Sequence, residues 1–424
     1  MYELKINGGK RLKGTVNISG AKNAALAIIP ATIISSSKCI IENLPEIDDV
    51  ILLKDIFEQL NIPVSFKNGV MEIDNSKDTD YTVNFELVKK MRASYYLLGA
   101  MLARYNKAEI SLPGGCEIGA RPIDLHIKGL TALGAKVKVE HGKLKAEAPN
   151  GLKGTDIYLD FASVGATINI MLAASKAVGV TTISNAAKEP HVVDVANFLN
   201  CIGASVKGAG TDNIRITGKT EMKGCAYSVI PDQLEAGTFM IAAAATGGDV
   251  IIRNIIPNHL EAVSAKLMEM GVNVIEGDNG REFYINVKHD QSRCREVNIK
   301  TLPYPGFPTD LQQPIMAMLT QSLGTSIIVE NVFEDRYKHV ASLQRMGADI
   351  NVNGRVAAVK GVEQLSGTEV FASDLRAGAA LIIAGLIATG TTTIQNVHYI
   401  DRGYEKIEEK LQALGADIER VLKK

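Results

Sequence analysis

The sequence lacks the features that mark several large classes of protein. It has 424 residues and a formal net charge of −1, so it has no basic surplus of the kind that nucleic-acid-binding surfaces require. Its longest apolar run, Ala377 to Gly390, is too short to span a bilayer. The opening residues MYELKINGGK contain no apolar stretch typical of a signal peptide. We therefore expect a cytoplasmic protein with no nucleic-acid or membrane partner.

Metal and nucleotide-cofactor motifs are also missing. The five cysteines form no CxxC pair and are odd in number, which suits free thiols in a reducing compartment. There is no HExxH and no Cys/His cluster, so we expect no metal site. Gly-Lys-Thr occurs at 218–220 without the earlier glycine of a P-loop, and no GxGxxG opens a helix after a strand. We expect no cofactor.

What the sequence does contain is an internal repeat. A phrase of Leu, Ile or Met, then Gly, then Ala or Val recurs five times, and a weaker copy at 60–62 precedes it. The steps between the middle residues of successive copies are 73, 69, 68, 76 and 68. Six units of about 71 residues therefore account for the sequence.

Each unit has the same order of elements. A strand leads into an apolar, Ala-rich helix such as AGAALIIAGLIATG, which we expect to be buried because it is apolar all round. A β-branched strand follows, then an amphipathic helix that ends at the repeated phrase with Gly as its cap, and then two short strands. This alternation predicts an α/β fold.

The arrangement of the units predicts two domains. The sixth unit is one strand short, whereas YELKING near the start belongs to no unit. We expect this segment to supply the missing strand. The predicted domains are 22–230, and 1–21 together with 231–424, with three units each and a ligand cleft between them.

One unit departs from the others at a glycine-rich loop, LPGGCEIGAR, which is the longest of the six equivalent loops. Such a loop is the expected form of a lid. Cys116 in this loop precedes a helix that we expect to begin near Pro122, and the helix dipole and Arg121 would favour a thiolate. A single cysteine is more often a small buried hydrophobe, and we apply that interpretation to the other four.

Charged and polar residues collect where the first strand of each unit meets the buried helix. Arg121 and Arg402 also share a repeat position, thirteen residues before the phrase glycine. Helix N-termini with cations around them suit a multiply anionic substrate. The residues at the strand–helix corners are Lys22, Arg92, Ser163, Glu235, Asp310 and Arg376.

Asp310 is the carboxylate at one of these corners, and it could remove a hydroxyl proton. The alternative is that it is an N-cap, which is the commoner role of Asp before a helix. For Asp232 and Asp374, at similar corners, we prefer the cap interpretation.

Taken together, SGAKNAAL, MRAS, LPGGCEIGARPIDLHI, SVGAT, FPTDLQ, VFEDRYKH, DLRAGAAL and IDRGYE resemble the UDP-N-acetylglucosamine enolpyruvyl transferase family over nearly the whole length. The resemblance implies two inside-out α/β barrels of three repeats each. It also implies transfer of the enolpyruvyl group of phosphoenolpyruvate to the 3-hydroxyl of UDP-N-acetylglucosamine, with release of phosphate, as the first committed step of peptidoglycan synthesis. We expect small-molecule substrates only and a monomer.

The resemblance also assigns roles to residues. It implies that Cys116 is the general acid and the site of fosfomycin alkylation, and that Asp310 accepts the proton of the sugar hydroxyl. Asp374 and Arg376 match residues that line the cleft. The implied phosphoenolpyruvate ligands are Lys22, Asn23, Arg121 and Arg402, of which Lys22 and Arg402 are also expected to be catalytic. The implied UDP-sugar contacts are Arg92, Arg121, Pro122, Ile123, Asp124, Leu125, Ser163, Val164, Asp310 and Val332.

Two positions depart from the family pattern. Phe161 stands where a lysine can approach the diphosphate, and Gln233 stands where an arginine can occur. We expect altered substrate affinity rather than lost chemistry. Two other functions stay open at this point. One is the related 5-enolpyruvylshikimate 3-phosphate synthase reaction, whose enzymes lack the Gly-Gly-Cys loop, and the other is a silent UDP-sugar-binding paralogue.

Overall fold

The computed structural model describes residues 2–77, 92–111, 123–291 and 293–423, and the side chain of Arg92 lies outside this description. The described residues form two compact units, each with its own hydrophobic core. We call the described residues between 20 and 230 the continuous unit. Residues 2–19 and 231–423 form the split unit.

In the continuous unit, apolar helices alternate with short strands as the repeat predicts. Its strands are β3 (Lys38–Glu42), β4 (Val64–Lys67), β5 (Val70–Asp74), β6 (Lys107–Ser111), β7 (Lys136–Glu140), β8 (Lys143–Glu147), β9 (Asp156–Tyr158), β10 (Val180–Ser184), β11 (Ser205–Lys207), β12 (Asn213–Thr217) and β13 (Ala226–Ser228). Its helices are α1 (Lys22–Ala31), α2 (Asp48–Gln59), α3 (Tyr96–Tyr105), α4 (Asp124–Ala132), α5 (Val164–Ala174) and α6 (Pro190–Cys201). Helix α4 begins two residues after Pro122, close to the predicted start.

The split unit repeats the pattern. Its strands are β1 (Tyr2–Asn7), β2 (Lys13–Asn17), β14 (Asp249–Arg253), β15 (Asn273–Asp278), β16 (Phe283–Lys288), β17 (Ile299–Lys300), β18 (Thr325–Val329), β19 (Asp349–Asn353), β20 (Val356–Lys360), β21 (Glu369–Phe371), β22 (Thr391–Gln395) and β23 (Asp417–Leu422). Its helices are α7 (Gln233–Ala245), α8 (Glu261–Glu269), α9 (Gln312–Leu319), α10 (Val340–Arg345), α11 (Leu375–Ile387), α12 (His398–Asp401) and α13 (Ile407–Ala413). The Ala-rich helices α7 and α11 are almost entirely buried, as predicted.

The described strands form six small sheets, three in each unit, and no closed barrel is found among them. Five of the sheets are mixed, whereas the three-stranded sheet of β6, β8 and β7 is antiparallel. The four-stranded sheets share one order, in which an edge strand lies parallel to the next strand and two further strands continue the sheet antiparallel. In the sixth repeat, β1 pairs antiparallel with both β22 and β23. The prediction that the opening segment completes this repeat is confirmed.

Left-handed residues end the amphipathic helices. Gly134, Gly203, Gly271, Gly347 and Gly415 have φ between 87° and 108°, and the residue at the weak copy, an asparagine at position 61, has φ 59°. The conformation lets the next N–H groups bond back to the last carbonyls of the helix. The predicted caps are confirmed.

The segments that join the two units are held by buried carboxylates. In the continuous unit, Asp194 accepts hydrogen bonds from the Tyr227 hydroxyl (2.5 Å) and from the N–H of Ile230 (3.2 Å). In the split unit, Glu235 accepts from the N–H of Ser19 (2.8 Å) and pairs with Lys410 (2.6 Å). Each joining segment is therefore fixed in its own unit by a side chain that is almost fully buried.

The buried helices of the split unit position its functional side chains. Helices α7, α9 and α11 contact one another pairwise. Side chains from the first turns of α9 and α11 hydrogen-bond to one another, and the Thr238 hydroxyl of α7 lies 2.8 Å from the Tyr404 hydroxyl. The N-terminal turns of α9 and α11 therefore lie side by side.

Candidate active site

Asp310 lies between two buried arginines of the split unit. The 3₁₀ helix Thr309–Leu311 carries it to the start of α9. Its Oδ1 accepts a hydrogen bond from Nη2 of Arg336, and its Oδ2 accepts from Nε (3.3 Å) and Nη2 (3.2 Å) of Arg376. The arginine side chains are 2% and 5% exposed, whereas that of Asp310 is 27% exposed. Two cations thus fix a carboxylate that keeps access to solvent.

The cap interpretation does not hold for Asp310, because no side chain caps α9 or the preceding 3₁₀ helix. It is confirmed for Asp232, whose Oδ1 accepts from two N–H groups of the first turn of α7 at 2.7 and 3.0 Å. It is also confirmed for Asp374, whose Oδ1 accepts from the N–H groups of Arg376 (2.8 Å) and Ala377 (3.0 Å). The Asp374 cap thereby fixes the helical turn that carries the Arg376 guanidinium.

Lys22 and Asp49 form a buried ion pair in the continuous unit. Lys22 is the first residue of α1, and its Nζ lies 2.9 Å from Oδ2 of Asp49 in the first turn of α2. The two side chains are 10% and 5% exposed, and Asn23 beside them is half-buried. An ammonium group has three donor hydrogens, so it can hold a carboxylate and a further anion together.

The predicted UDP-sugar contacts that the structure describes occupy two helix starts of the continuous unit. Ile123, Asp124 and Leu125 lie at the beginning of α4, where Asp124 is exposed and Leu125 is buried. Ser163 caps α5, since its Oγ accepts the N–H of Ala166 at 3.3 Å, and Val164 is the first residue of that helix.

A buried asparagine of α5 connects this helix to α3 and α4. Asn169 of α5 accepts the N–H of Gly99 at 2.7 Å and donates to the carbonyl of Tyr95 at 3.0 Å. Its Nδ2 also lies 3.0 Å from Nδ1 of His126. Because the Oδ1 contact fixes the amide orientation, Nδ1 of His126 is an acceptor, and the neutral ring carries its proton on Nε2. Sequence analysis missed both residues, although an asparagine within an otherwise apolar helix was a usable signal.

Arg402 directly follows α12 and is half-buried. Arg402 lies between α12 and α13, and Arg420 of β23 fixes both helices. Nη2 of Arg420 lies 2.7 Å from Oδ1 of Asp401 in α12, and its Nε lies 2.5 Å from Oε1 of Glu408 in α13. Val332 lies in the segment after β18, where its N–H donates to Oε1 of Glu330 at 2.8 Å.

Three of the predicted site residues, Cys116, Arg121 and Pro122, lie outside the described residues, and so does the side chain of Arg92. Their roles stay predictions. Of the two departures from the family pattern, Phe161 is 58% exposed, and Gln233 is the first residue of α7.

Two partners of the predicted residues were missed. Arg336 lies in VFEDRYKH, eleven residues before the phrase glycine rather than the thirteen that Arg121 and Arg402 share, so the comparison of units gave it no weight. Asp49 is an acidic residue in the first turn of a helix, where interaction with the helix dipole is the ordinary explanation. The burial of both became evident only from packing.

The cysteine interpretation was partly wrong. Cys39 and Cys294 are buried and Cys225 is half-buried, but Cys201 is exposed because it is the last residue of α6. Burial raises the pKa of Cys294 to about 12, and its Sγ lies 3.2 Å from Nε2 of His289. This pair is a neutral hydrogen bond in the core rather than an activated thiolate.

Among the described residues, no group of three or more His, Cys, Asp or Glu side chains could hold a metal ion. In the same part of the chain, no helix combines the length and the apolar character needed to cross a membrane.

Comparison with known proteins covers nearly the full length. The family model of EPSP synthase (3-phosphoshikimate 1-carboxyvinyltransferase) matches residues 6–411. The UDP-N-acetylglucosamine 1-carboxyvinyltransferase of Clostridium botulinum is 56% identical over 99% of this chain and 100% of that protein. UDP-N-acetylglucosamine 1-carboxyvinyltransferase 2 of Bacillus subtilis is 52% identical over 99% of this chain and 97% of its own.

Solved structures agree on the fold. The enolpyruvyl transferase NikO from Streptomyces tendae matches with a TM-score of 0.88 and 25% identity over 100% of this chain and 99% of that one. EPSP synthase from Acinetobacter baumannii matches with a TM-score of 0.76 and 21% identity over all of both chains, which supports the fold alone. The chain therefore belongs to the EPSP synthase family of enolpyruvyl transferases, and within that family to the UDP-N-acetylglucosamine 1-carboxyvinyltransferases.

Proposed function

We propose that this enzyme transfers the enolpyruvyl group of phosphoenolpyruvate to the 3-hydroxyl of UDP-N-acetylglucosamine and releases phosphate, the first committed step of peptidoglycan synthesis. The observation that carries the proposal is 56% identity, over essentially complete lengths, to a protein named for this carboxyvinyl transfer. The enzyme acts on small molecules, and we further propose that it is a cytoplasmic monomer that needs no cofactor.

Asp310 is the proposed proton acceptor. Each carboxylate oxygen accepts from one guanidinium, and the side chain remains 27% exposed, so that a substrate hydroxyl can approach it. Two positive charges beside one carboxylate make it a weak base. It therefore takes the hydroxyl proton as the oxygen attacks the central carbon of phosphoenolpyruvate, rather than before the attack.

Cys116 is the proposed acid, which protonates the methylene carbon of phosphoenolpyruvate while the sugar oxygen bonds to the neighbouring carbon. Return of one methyl proton to the Cys116 thiolate and loss of phosphate, which takes the proton held by Asp310, then restore the double bond in the product. Because positive charge develops at the central carbon in the transition state and water could attack there in place of the sugar hydroxyl, we propose that the loop carrying Cys116 excludes water when the UDP-sugar is bound.

The remaining assignments follow the charges of the substrates. Lys22, Asn23, Arg121 and Arg402 bind phosphoenolpyruvate, whose phosphate and carboxylate need several fixed donors. The Lys22–Asp49 ion pair supports this by holding the ammonium group in one orientation. The proposed UDP-sugar contacts are Arg92, Arg121, Pro122, Ile123, Asp124, Leu125, Ser163, Val164, Asp310 and Val332.

Phosphate release from phosphoenolpyruvate tests the reaction, with UDP-N-acetylglucosamine and shikimate 3-phosphate compared as acceptors. We expect release with the nucleotide sugar only. Release with shikimate 3-phosphate alone would assign the chain to the other reaction of its family. Binding of the nucleotide sugar without turnover would identify a silent paralogue.

A further inference from the structure

Behind Asp310 lies a buried glutamine that the proposed mechanism does not use. Gln313 is in the first turn of α9 and has no exposed surface. Its Nε2 donates to the backbone carbonyl of Arg336 at 3.0 Å and contacts Oδ2 of Asp374 at 3.4 Å. One amide group therefore joins two segments that are far apart in sequence.

Both partners of Gln313 control an arginine that binds Asp310. Arg336 itself contacts Oδ1 of Asp310. Asp374 caps the helix turn from which Arg376 reaches Oδ2 of Asp310. The two guanidiniums come from separate segments, and a change in their spacing would rotate the carboxylate between them.

The chemistry of the contacts requires an amide donor. Both partners offer only oxygen acceptors, so the NH₂ group must face them and Oε1 must point away. Oε1 is buried without a hydrogen-bond partner among the described residues. An unsatisfied buried acceptor costs about 1–3 kcal/mol, which an apolar side chain of equal size would avoid. The unpaired Oε1 therefore carries a cost in stability, whereas the NH₂ group fixes the geometry of its two partners.

We propose that Gln313 is a positioning residue for Asp310. Gln313 holds the two guanidiniums at one spacing, so that the carboxylate between them keeps one orientation toward the acceptor hydroxyl. The inference rests on the proposed function. Gln313 acts through Arg336 and Asp374 and does not touch the substrates.

The chain offers a matched control. Gln312 is the preceding residue in the same helix turn and is equally buried. Neither its Nε2 nor its Oε1 has a hydrogen-bond partner among the described residues. Gln312→Met and Gln313→Met therefore remove the same group from the same depth, but only the second removes the bridge.

The experiment compares steady-state kinetics of the wild type and the two methionine variants. Misplacement of a reacting group by about 1 Å costs on the order of 100-fold in rate, so we expect Gln313→Met to lower kcat by about 10- to 100-fold. We expect KM for both substrates to change by less than about 2-fold, since neither substrate contacts Gln313. Gln312→Met should keep the wild-type kcat. Equal kcat values for the two variants, or a loss confined to KM, would overturn the inference.

A second variant covers the case in which Gln313→Met does not fold. Gln313→Glu keeps the size of the side chain, but its carboxyl group can donate only when it is protonated. We expect the kcat of Gln313→Glu, relative to wild type, to rise as the pH falls from about 8 to about 6, because a carboxyl that faces two acceptors has a raised pKa. A ratio that does not change with pH would contradict the proposal. If the wild type itself releases no phosphate with UDP-N-acetylglucosamine, the proposed function fails instead.

Discussion

Asp194 allows a quantitative prediction about stability. This carboxylate of α6 is 1% exposed, and burial raises its pKa from 3.8 to about 6, although hydrogen bonds from Tyr227 and Ile230 oppose the rise. The folded protein therefore binds this proton more tightly than the unfolded chain does. The contribution of this proton to the free energy of unfolding is complete below about pH 4 and is lost as the pH rises through 6.

The size of the effect follows from the shift. A difference of about 2 pKa units corresponds to about 3 kcal/mol, at 1.36 kcal/mol per unit. Asparagine should fit the site without the charge. Oδ1 of the asparagine can accept from the Ile230 N–H, and its Nδ2 can donate to the Tyr227 hydroxyl oxygen. The Tyr227 hydroxyl can then donate its own hydrogen to the backbone carbonyl of residue 194, which lies 3.1 Å away.

We therefore expect Asp194→Asn to match the wild type near pH 4 and to be more stable by up to about 3 kcal/mol near pH 7.5. For a unit of this size, that corresponds to a Tm difference of roughly 6–12 °C by scanning calorimetry. Tyr227→Phe, as a control, removes a hydrogen bond that stabilises the carboxylate and should move the pH transition upward. A Tm difference between wild type and Asp194→Asn that stays constant from about pH 4 to 7.5 would refute the reasoning.

Three further predictions concern the proposed site. Cys116→Asp should keep activity, because a carboxylic acid can also donate the proton, and should lose sensitivity to fosfomycin in an inhibition assay. Asp310→Asn should lower kcat by about 10²- to 10⁴-fold in the phosphate-release assay, the usual contribution of a general base, and an unchanged kcat would exclude its role. Asp49→Asn removes the carboxylate charge 2.9 Å from the buried Lys22 ammonium and should lower the free energy of unfolding by about 3–5 kcal/mol, measured in urea; an equal effect of Asp55→Asn, an exposed acid on the same helix, would contradict this.

Much of the fold could be predicted because its signals are local and repeat six times. The phrase that ends each amphipathic helix needs a left-handed residue, which glycine adopts without strain. The strand at residues 2–7, which belongs to no unit in sequence order, was assigned to the sixth unit by counting the strands in each unit. The pairing of the joining segments was not available from the pattern. Strand β2 precedes α1 in sequence but pairs with β14, and β13 precedes α7 but pairs with β3.

The candidate site was predicted less completely, since burial is a property of packing. Asp310 and Arg376 stand at repeat-equivalent corners, so the repeat indicated them. Arg336 lies in an irregular segment, and Gln313 reads as an ordinary polar residue of a helix turn. Their connection arises only where segments distant in sequence meet.

The pairing of β1 with β22 and β23 has a consequence for synthesis on the ribosome. Residues 2–7 are made first, yet their neighbours at 391–395 and 417–422 emerge about 400 residues later, which takes roughly 20 to 80 s at bacterial and eukaryotic translation rates. Strand β2 likewise cannot pair until β14 has been synthesised. Each described strand between residues 20 and 230 has its partners within that range, so we expect this unit to fold before the partners of β1 have been synthesised.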